Sequence, residues 1–327
     1  MQYHKKIITL CAIFFLSCGV MPIGYAKTKF MTYWFSWGQN NPPWIYTQLE
    51  DVPQGVDLVA VAFALEDANH QLTLQSSNSD QLKQSIAILH QRSVKVLLSS
   101  GGATAGYPWD DMTLTVTQIA QQFSSFIDQY GFDGIDLDVE AVGPGFDRLP
   151  DIIQLVKATH ASLIVTLTVG SMSSAGVTQE SQRLGQALYK NGALNYLDVM
   201  NYDQYWNPPV SQCTYDATDM SQNCYIQNVE AVAAVAQQWT GNAAQANAMV
   251  MSGIMIGAAD DKKVITSDLA SQMTQWLSDH NYGGVMTWGV SRDQSGTNLA
   301  YSTGLSGYSG GAFTNAIIQI LKNQQRV

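Results

Sequence analysis

The sequence predicts an α/β fold of the (β/α)8 TIM-barrel class, and two observations lead to this prediction. Short apolar runs alternate with amphipathic helical patterns from residue 30 to the end of the chain. Eight such runs are present, the number of strands in a closed parallel barrel, which typically takes about 250 residues. An open doubly wound sheet is the alternative, but no glycine-rich nucleotide-binding loop follows the first run, so we favour the barrel.

The first 26 residues have the features of a secretory signal peptide. Lys5 and Lys6 precede an apolar run over 7–16, and Ala26 offers a small residue at the cleavage site. The apolar run is too short to span a bilayer stably. A lipoprotein attached through Cys18 is the alternative, although the residues before Cys18 form a poor lipobox. We therefore expect an exported protein, secreted or periplasmic, without stable membrane insertion after cleavage.

Composition indicates one large, acidic domain. The 327 residues are 46% hydrophobic and 13% charged, with a formal net charge of −10. This charge argues against nucleic acid and anionic membranes as partners, whereas a neutral polymer is compatible with it. No Pro/Ser/Gly-rich linker divides the chain after the signal peptide, so we expect a single catalytic domain over 27–327, and a monomer.

The elements follow one another in the order that a barrel requires. The predicted strands lie at 30–35, 58–65, 95–100, 134–140, 163–170, 197–203, 250–256 and 284–288. Helical faces between or after them are marked by Leu82, Ile86 and Leu89; Ile119, Phe123 and Phe126; Ile152 and Val156; Leu184 and Leu188; Val229, Val232 and Ala236; Leu269 and Met273; Ile317 and Leu321. We expect Gly131 to end the longest helix and Ser267 to cap the seventh, and the first helix, near 46–49, is weakly patterned.

The fourth predicted strand carries the most unusual pattern. Asp136, Asp138 and Glu140 alternate with aliphatic residues, so three carboxylates share one face at a spacing of roughly 6–7 Å. Because the aliphatic face belongs against packed helices, the acids must line an interior or a cleft, where at least one holds a proton near neutral pH. The alternatives are an exposed strand of an acidic protein and a metal site. A calcium loop is disfavoured because it needs glycine where Asp138 stands.

Four motifs resemble glycoside hydrolase family 18, the chitinase family. They are D-G-x-D-x-D-x-E ending at Glu140, S-x-G-G ending at Gly102, M-x-Y-D over 200–203, and a Gly-Gly strand ending in Trp288. Each lies at the carboxyl end of a predicted strand, where barrel enzymes place their chemistry. The resemblance covers almost all of the chain after the signal peptide. The family type it implies has no α+β domain inserted between strands seven and eight, because only 257–283 separates them.

The resemblance implies a role for each of these residues. Glu140 would be the general acid and base, with Asp136, Asp138 and Tyr202 as the other catalytic residues. The substrate-binding residues would be Trp288, Tyr33, Phe63, Gly102, Ala103, Met200 and Asp203. The implied reaction is endo-type hydrolysis of β-1,4-linked N-acetylglucosamine polymers with retention, assisted by the substrate's own acetamido group. Chitin or N-acetylglucosamine oligosaccharides would be the partners, and no cofactor is implied.

Two related functions remain open at this stage. An endo-β-N-acetylglucosaminidase that acts on glycoprotein N-glycans shares the acidic signature. A non-catalytic chitin-binding lectin on the same barrel is the alternative outside enzymes, and the presence of Glu140 disfavours it.

The cysteines, histidines and loop aromatics complete the sequence-based expectations. Removal of the signal peptide leaves Cys213 and Cys224, and an even pair in an exported chain predicts a disulfide, with two free thiols as the alternative. The five histidines have no ligand spacing, so no metal is predicted. Aromatic residues follow several strands and suit stacking on sugars, although some are expected to pack in the core. These are Trp37, Trp44, Tyr107, Trp109, Tyr205 and Trp206.

Overall fold

The computed structural model describes residues 27–37, 47–74, 79–103, 106–170, 177–203, 213–259, 263–293 and 310–324. The predicted signal peptide lies outside these residues, as do the loop aromatics Trp44, Tyr205 and Trp206. Within them, no helix combines the length and the apolar character that crossing a bilayer requires.

Eight parallel strands form a closed barrel, which confirms the predicted fold class. The strands are β1 (Lys29–Phe35), β2 (Leu58–Glu66), β4 (Lys95–Gly101), β5 (Gly134–Asp138), β6 (Ile164–Val169), β7 (Tyr196–Met200), β8 (Val250–Met255) and β11 (Gly284–Trp288). Each pairs with its neighbours in parallel, and β1 pairs with both β11 and β2, so the sheet closes on itself. Two additions decorate it. β3 (Leu72–Leu74) pairs antiparallel with the end of β2, and β9 (Gly257–Ala258) forms a small hairpin with β10 (Val264–Ile265).

Helices surround the barrel and cover the outer face of the strands. They are α1 (Ser79–Gln91), α2 (Val116–Tyr130), α3 (Leu149–Thr159), α4 (Val177–Lys190), α5 (Cys224–Thr240), α6 (Ala243–Met249), α7 (Ser267–Asp279) and α8 (Ala312–Gln324). Gly131 ends α2 at a φ of 82°, as the sequence predicts. The α7 cap lies one residue earlier than predicted, since it is the Thr266 hydroxyl that accepts from the Leu269 amide. The weakly patterned first helix is a single 3-10 turn, Leu49–Asp51.

Two predicted strands end two or three residues earlier in the structure than in the sequence analysis, and the fifth and seventh end one residue earlier. The fourth stops at Asp138, so Val139 and Glu140 lie beyond it, and the sixth stops at Met200. Asp203 has a φ of 54°, which a strand cannot contain. The alternating pattern of the sequence continues past the point at which neighbouring strands separate at the mouth of the barrel. Consequently Glu140, Tyr202 and Asp203 stand on the loops above the strand ends.

The side-chain alternation of the strands separates two buried clusters. Ile135 and Leu137 of β5 belong to the large cluster between the strands and the helices. A smaller cluster inside the barrel contains Tyr33, Met251 and Met286, among others. Asp136 and Asp138 point to this inner side, as their alternation with Ile135 and Leu137 predicts.

Candidate active site

The acidic residues of β5 are held at two levels of the barrel by the strand register. Ser99 of β4 and Thr166 of β6 stand beside Asp136, and Gly101 and Thr168 stand beside Asp138. Both aspartates are almost completely buried, with exposures of 0% and 3%. Glu140, two residues further along, is half-buried at the mouth. The three acids therefore descend from the cleft into the barrel.

Asp136 is surrounded by hydroxyl donors. The hydroxyls of Tyr33 (2.7 Å) and Ser99 (2.6 Å) donate to its Oδ2. Those of Thr166 (2.6 Å) and Thr168 (3.0 Å) donate to its Oδ1. Burial raises the pKa of Asp136, and these hydroxyl donors oppose the rise. Asp136 is thus the buried carboxylate that is best equipped to carry a negative charge.

Asp138 and Glu140 lack this support. Burial, followed by the charges of Glu140 and Asp136, raises the pKa of Asp138 well above its usual range, and its Oδ1 is buried without a hydrogen-bond partner. Burial raises the pKa of Glu140 to about 7, with a further contribution from the charge of Asp203. Asp138 is the more deeply buried of the two, and the charge that raises the pKa of Glu140 is that of Asp203. A carboxyl group that titrates near pH 7 can act as either a general acid or a general base.

Glycine at positions 101 and 102 allows β4 to approach the acidic strand. A Cβ on Gly101 would lie 1.9 Å from the carbonyl oxygen of Asp138, and that same oxygen accepts the Gly102 amide at 2.8 Å. A Cβ on Gly102 would lie 2.7 Å from the ring of Phe63. Close approach of β4 to β5 and to Phe63 therefore accounts for the two glycines. The next residue, Ala103, is exposed at the mouth.

Tyr202 stands on the loop after β7, beside the acids. It is 8% exposed, and burial together with the charges of Asp138 and Glu140 raises the pKa of its hydroxyl well above the usual value. The hydroxyl is therefore a permanent donor. The preceding residue, Asn201, fixes the loop by donating to Ser252 Oγ at 2.8 Å. Met200 and Asp203, on either side of this pair, are half-buried.

Aromatic rings form the opposite wall of the cleft. Trp288 and Phe63 stack at 5.7 Å between ring centroids, and Trp37 packs against both, at 5.7 Å from Phe63 and 6.3 Å from Trp288. All three rings are half-buried, so each keeps exposed surface. Flat apolar faces of this kind suit the faces of sugar rings.

The structure places three predicted aromatic residues in the core rather than on the cleft surface. Tyr33 has no exposed surface, and its ring meets Trp288 edge-on at 5.1 Å while its hydroxyl contacts Asp136. Tyr33 therefore supports the site from beneath. Its burial is incompatible with the direct contact with a sugar that the resemblance implies. Tyr107 and Trp109 are also buried, and the Tyr107 hydroxyl donates to the carbonyl oxygen of Gly102 at 2.8 Å.

Asp198 is the residue near the site that sequence analysis missed. It lies on β7 opposite Thr168, is fully buried, and neither carboxylate oxygen accepts a hydrogen bond. The signal was present, since Asp198 is an acid between Leu197 and Val199 in an otherwise apolar strand. Asp136 and Asp138 could be recognised because they alternate with aliphatic residues in a repeated pattern, whereas Asp198 is a single acid on its strand.

One group of possible metal ligands occurs among the described residues, although no metal was predicted. His70 Nδ1 lies 2.7 Å from Glu66 Oε1 and 2.8 Å from Asp111 Oδ2. The hydrogen bond with Glu66 and the charge of Asp111 raise the pKa of His70. A protonated histidine between two carboxylates accounts for this cluster, so we assign no metal to it. Spacing did not reveal it because Asp111 follows on a different loop.

Cys213 and Cys224 form a disulfide in the structure, as predicted. The bond closes an eleven-residue separation at the start of α5. It lies on the segment that returns from the loop after β7, outside both walls of the cleft.

This chain is a closed (β/α)8 barrel with buried acids at the carboxyl ends of its strands. Enzymes of this barrel class have their active sites at that end of the barrel. Comparison with known proteins identifies the family within this class. The model of Glycosyl hydrolases family 18 matches residues 29–264. The chain belongs to glycosyl hydrolases family 18.

Individual relatives are more distant. Chitinase Chi52 of Paenibacillus xylanexedens is 33% identical over 158 residues, which is 42% of this chain and 29% of the relative. An acidic endochitinase of Phaseolus angularis is 27% identical over 243 residues, 71% of this chain and 68% of the relative. The matched segments span less than a third of the bacterial relatives' own length.

Solved structures support the fold. Catalytic-site mutants of active domain 2 of the thermostable chitinase from Pyrococcus furiosus, complexed with chito-oligosaccharides, align with a TM-score of 0.72 at 21% identity. The alignment covers 91% of this chain and 96% of that structure.

Proposed function

We propose that this chain is an exported chitinase that hydrolyses β-1,4-linked N-acetylglucosamine polymers with retention of the anomeric configuration. The observation that carries the proposal is the position of Glu140. Its carboxyl group lies at the mouth of the barrel, titrates near pH 7, and has buried acids behind it and aromatic rings opposite. The relatives named chitinases and the oligosaccharide complex of a similar barrel support the same substrate class.

In the proposed reaction, Glu140 donates its proton to the glycosidic oxygen as the bond to the anomeric carbon breaks. The carbonyl oxygen of the substrate's 2-acetamido group attacks that carbon and forms an oxazolinium ion. Water then opens this ion, and Glu140, now ionised, takes the proton from the water. Two inversions at the anomeric carbon give net retention.

Asp138 and Tyr202 act on the acetamido group. Asp138 hydrogen-bonds its N–H and stabilises the positive charge that develops on the ring. Tyr202, which stays protonated because of burial and neighbouring negative charges, donates to the acetamido oxygen and directs it toward the anomeric carbon. Asp136, which is buried behind Asp138, shares one proton with it and takes up that proton as the positive charge develops, so that Asp138 is then ionised. No acid has to serve as a nucleophile.

We further propose that the enzyme cuts within chains and releases them between cuts. Between β8 and β11 the described residues hold only the small β9–β10 hairpin and α7, so no inserted domain builds a wall along the cleft. An open cleft lets a polymer bind anywhere along its length and gives little to keep it bound after one cut. An early mixture of oligomers supports this mode, and nearly pure dimer from the first minutes contradicts it.

Export is the remaining part of the proposal. Its support is the charged and apolar pattern of the first 26 residues. Mass spectrometry of protein recovered from outside the cytoplasm should show a chain that begins at Lys27. A chain that retains Lys5 and Lys6, or one with lipid on Cys18, would contradict the proposed processing.

The decisive test of activity offers the purified protein three substrates in parallel. We expect hydrolysis of chitin hexamer with the β-anomer formed first, and no hydrolysis of a cellulose hexamer, which lacks acetamido groups. Release of glycans from a high-mannose glycopeptide without action on chitin would indicate the endo-β-N-acetylglucosaminidase alternative. Binding to chitin without any hydrolysis would indicate a lectin, and cleavage of cellulose would contradict the mechanism.

A further inference from the structure

Asp198 occupies the barrel interior at the level of the catalytic acids. Its neighbours on β7, Leu197 and Val199, pack in the cluster between strands and helices, whereas Tyr196 and Met200 pack against the inner cluster. Alternation therefore turns Asp198 inward, and the register sets it opposite Thr168. Its exposure is 0%.

The hydroxyls nearest to Asp198 do not satisfy its oxygens. Neither Oδ1 nor Oδ2 accepts a hydrogen bond. Thr166 and Thr168 are close enough to oppose the rise in the pKa of Asp198, but each gives its proton to Asp136 Oδ1. A buried carboxylate ion without donors carries a large desolvation cost, and the usual outcome is that the group takes up a proton.

The titratable groups around Asp198 reinforce this outcome. Burial and then the charge of Asp136 raise the pKa of Asp198 well above its usual range. The groups that feel its charge are all acids or phenols, and no cation is recorded among them in the described part of the chain. They are Tyr33, Asp138, Tyr196 and Tyr202.

We propose that Asp198 is a positioning residue that keeps a permanent proton and donates it to the hydroxyl oxygen of Thr166 or Thr168. Each threonine oxygen retains lone pairs after giving its own proton to Asp136, so the three groups form a chain of donors that ends on Asp136. Hydrogen bonds in such a chain strengthen one another. In the free enzyme, Asp198 thereby keeps Asp136 ionised and leaves the exchangeable proton on Asp138. The kinetic consequence rests on the proposed function, whereas the protonation state of Asp198 does not.

Two substitutions separate a protonated donor from a charged or merely structural residue. Asp198→Asn keeps the shape, the neutrality and an N–H donor, so we expect kcat within about twofold of wild type and an unchanged pH profile. Asp198→Ala removes the donor, which makes the Asp136–Asp138 pair easier to protonate. The acidic limb of the pH–rate profile of this variant should move to higher pH by about one unit, with kcat lowered and KM little changed. Thr287→Val, which removes another fully buried hydroxyl on the outer side of the sheet, should leave the limb in place.

Infrared difference spectroscopy tests the proton directly and needs no activity. At pH 8, the spectrum of wild type minus Asp198→Asn should contain the carbonyl band of a neutral carboxylic acid. Carboxylate bands in its place would overturn the proposal, as would a displaced limb in Asp198→Asn or an unmoved limb in a folded Asp198→Ala. If Asp198→Ala does not fold, the infrared result and the Asp198→Asn profile decide. If the wild type does not cleave chitin, the proposed function fails while the infrared band still decides the state of Asp198.

Discussion

The two walls of the cleft differ in what holds their side chains. On the acidic wall, β4 to β7 contribute carboxyls and hydroxyls, joined by the Tyr33 hydroxyl of β1. Their properties depend on burial and on one another's charge, as the four donors on Asp136 show. On the aromatic wall, Phe63, Trp37 and Trp288 are held by ring packing, with no charge among them. The difference indicates that one wall does the chemistry and the other binds. Substitutions should therefore change kcat on the first and KM on the second.

The largest effect is expected from Glu140→Gln on the acidic wall. The amide keeps the shape of the side chain but has no acidic proton, so kcat should fall by about a thousandfold or more, while oligosaccharide binding and folding are retained. Hydrolysis of chitin hexamer and calorimetric binding of the same oligomer measure the two quantities. Glu230→Gln on α5, the same chemical change outside the barrel, is the control. Turnover of Glu140→Gln within tenfold of wild type would remove Glu140 from its role.

The pH dependence should follow the raised pKa of Glu140. Because the reaction needs this carboxyl protonated, kcat/KM should fall as pH rises through about 7, by roughly tenfold for each further unit. The charge of Asp203 contributes to that pKa, so Asp203→Asn should move the basic limb to lower pH. A limb that stays in place, or moves to higher pH, would show that the charge of Asp203 does not act on Glu140.

The contrast between the walls also explains how far the sequence was informative. Alternation on β5 predicted both the burial of Asp136 and the direction of its side chain, because these are local properties of a strand. The predicted strand that carries these acids was too long, because the point at which the chain leaves the sheet before Glu140 depends on neighbouring strands. The hydroxyl donors on Asp136 come from three other strands, and local pattern has no access to such a set.

The aromatic wall shows the same limit differently. The position of Trp288 at the end of β11 could be predicted from its motif, and the resemblance implied a pocket position for Phe63 on β2. Exposure could not, because Tyr33 and Tyr107 are also aromatic residues at or just beyond strand ends, yet both are buried. Whether a ring faces the cleft depends on whether another side chain covers it, and this is a property of tertiary packing.

Trp288→Ala should affect binding more than chemistry. Loss of the ring removes a sugar-stacking surface worth about 1–2 kcal/mol, so KM should rise by roughly tenfold with a smaller change in kcat. Trp288→Phe should recover part of the loss. Trp276→Ala, which removes a half-buried tryptophan that stacks on His280 of the outer helix layer, should lower stability without raising KM. A fall in kcat alone for Trp288→Ala would mean that this wall takes part in the chemistry.

The smallest effect on the reaction is expected from the disulfide, which belongs to neither wall. Cys213 lies just before α5 and Cys224 is its first residue, so the bond restrains the unfolded chain and the start of one helix. Replacing both cysteines by serine should lower the free energy of unfolding by roughly 3 kcal/mol, the value for closing a loop of this length. Neither cysteine is among the acids and rings that form the two walls, so kcat and KM should stay within about twofold of wild type. Urea unfolding and chitin hydrolysis of the same preparation measure both effects. If activity fell tenfold while the protein remained folded, the segment after β7 would have to act directly on the substrate, and the division between the two walls would need a third contributor.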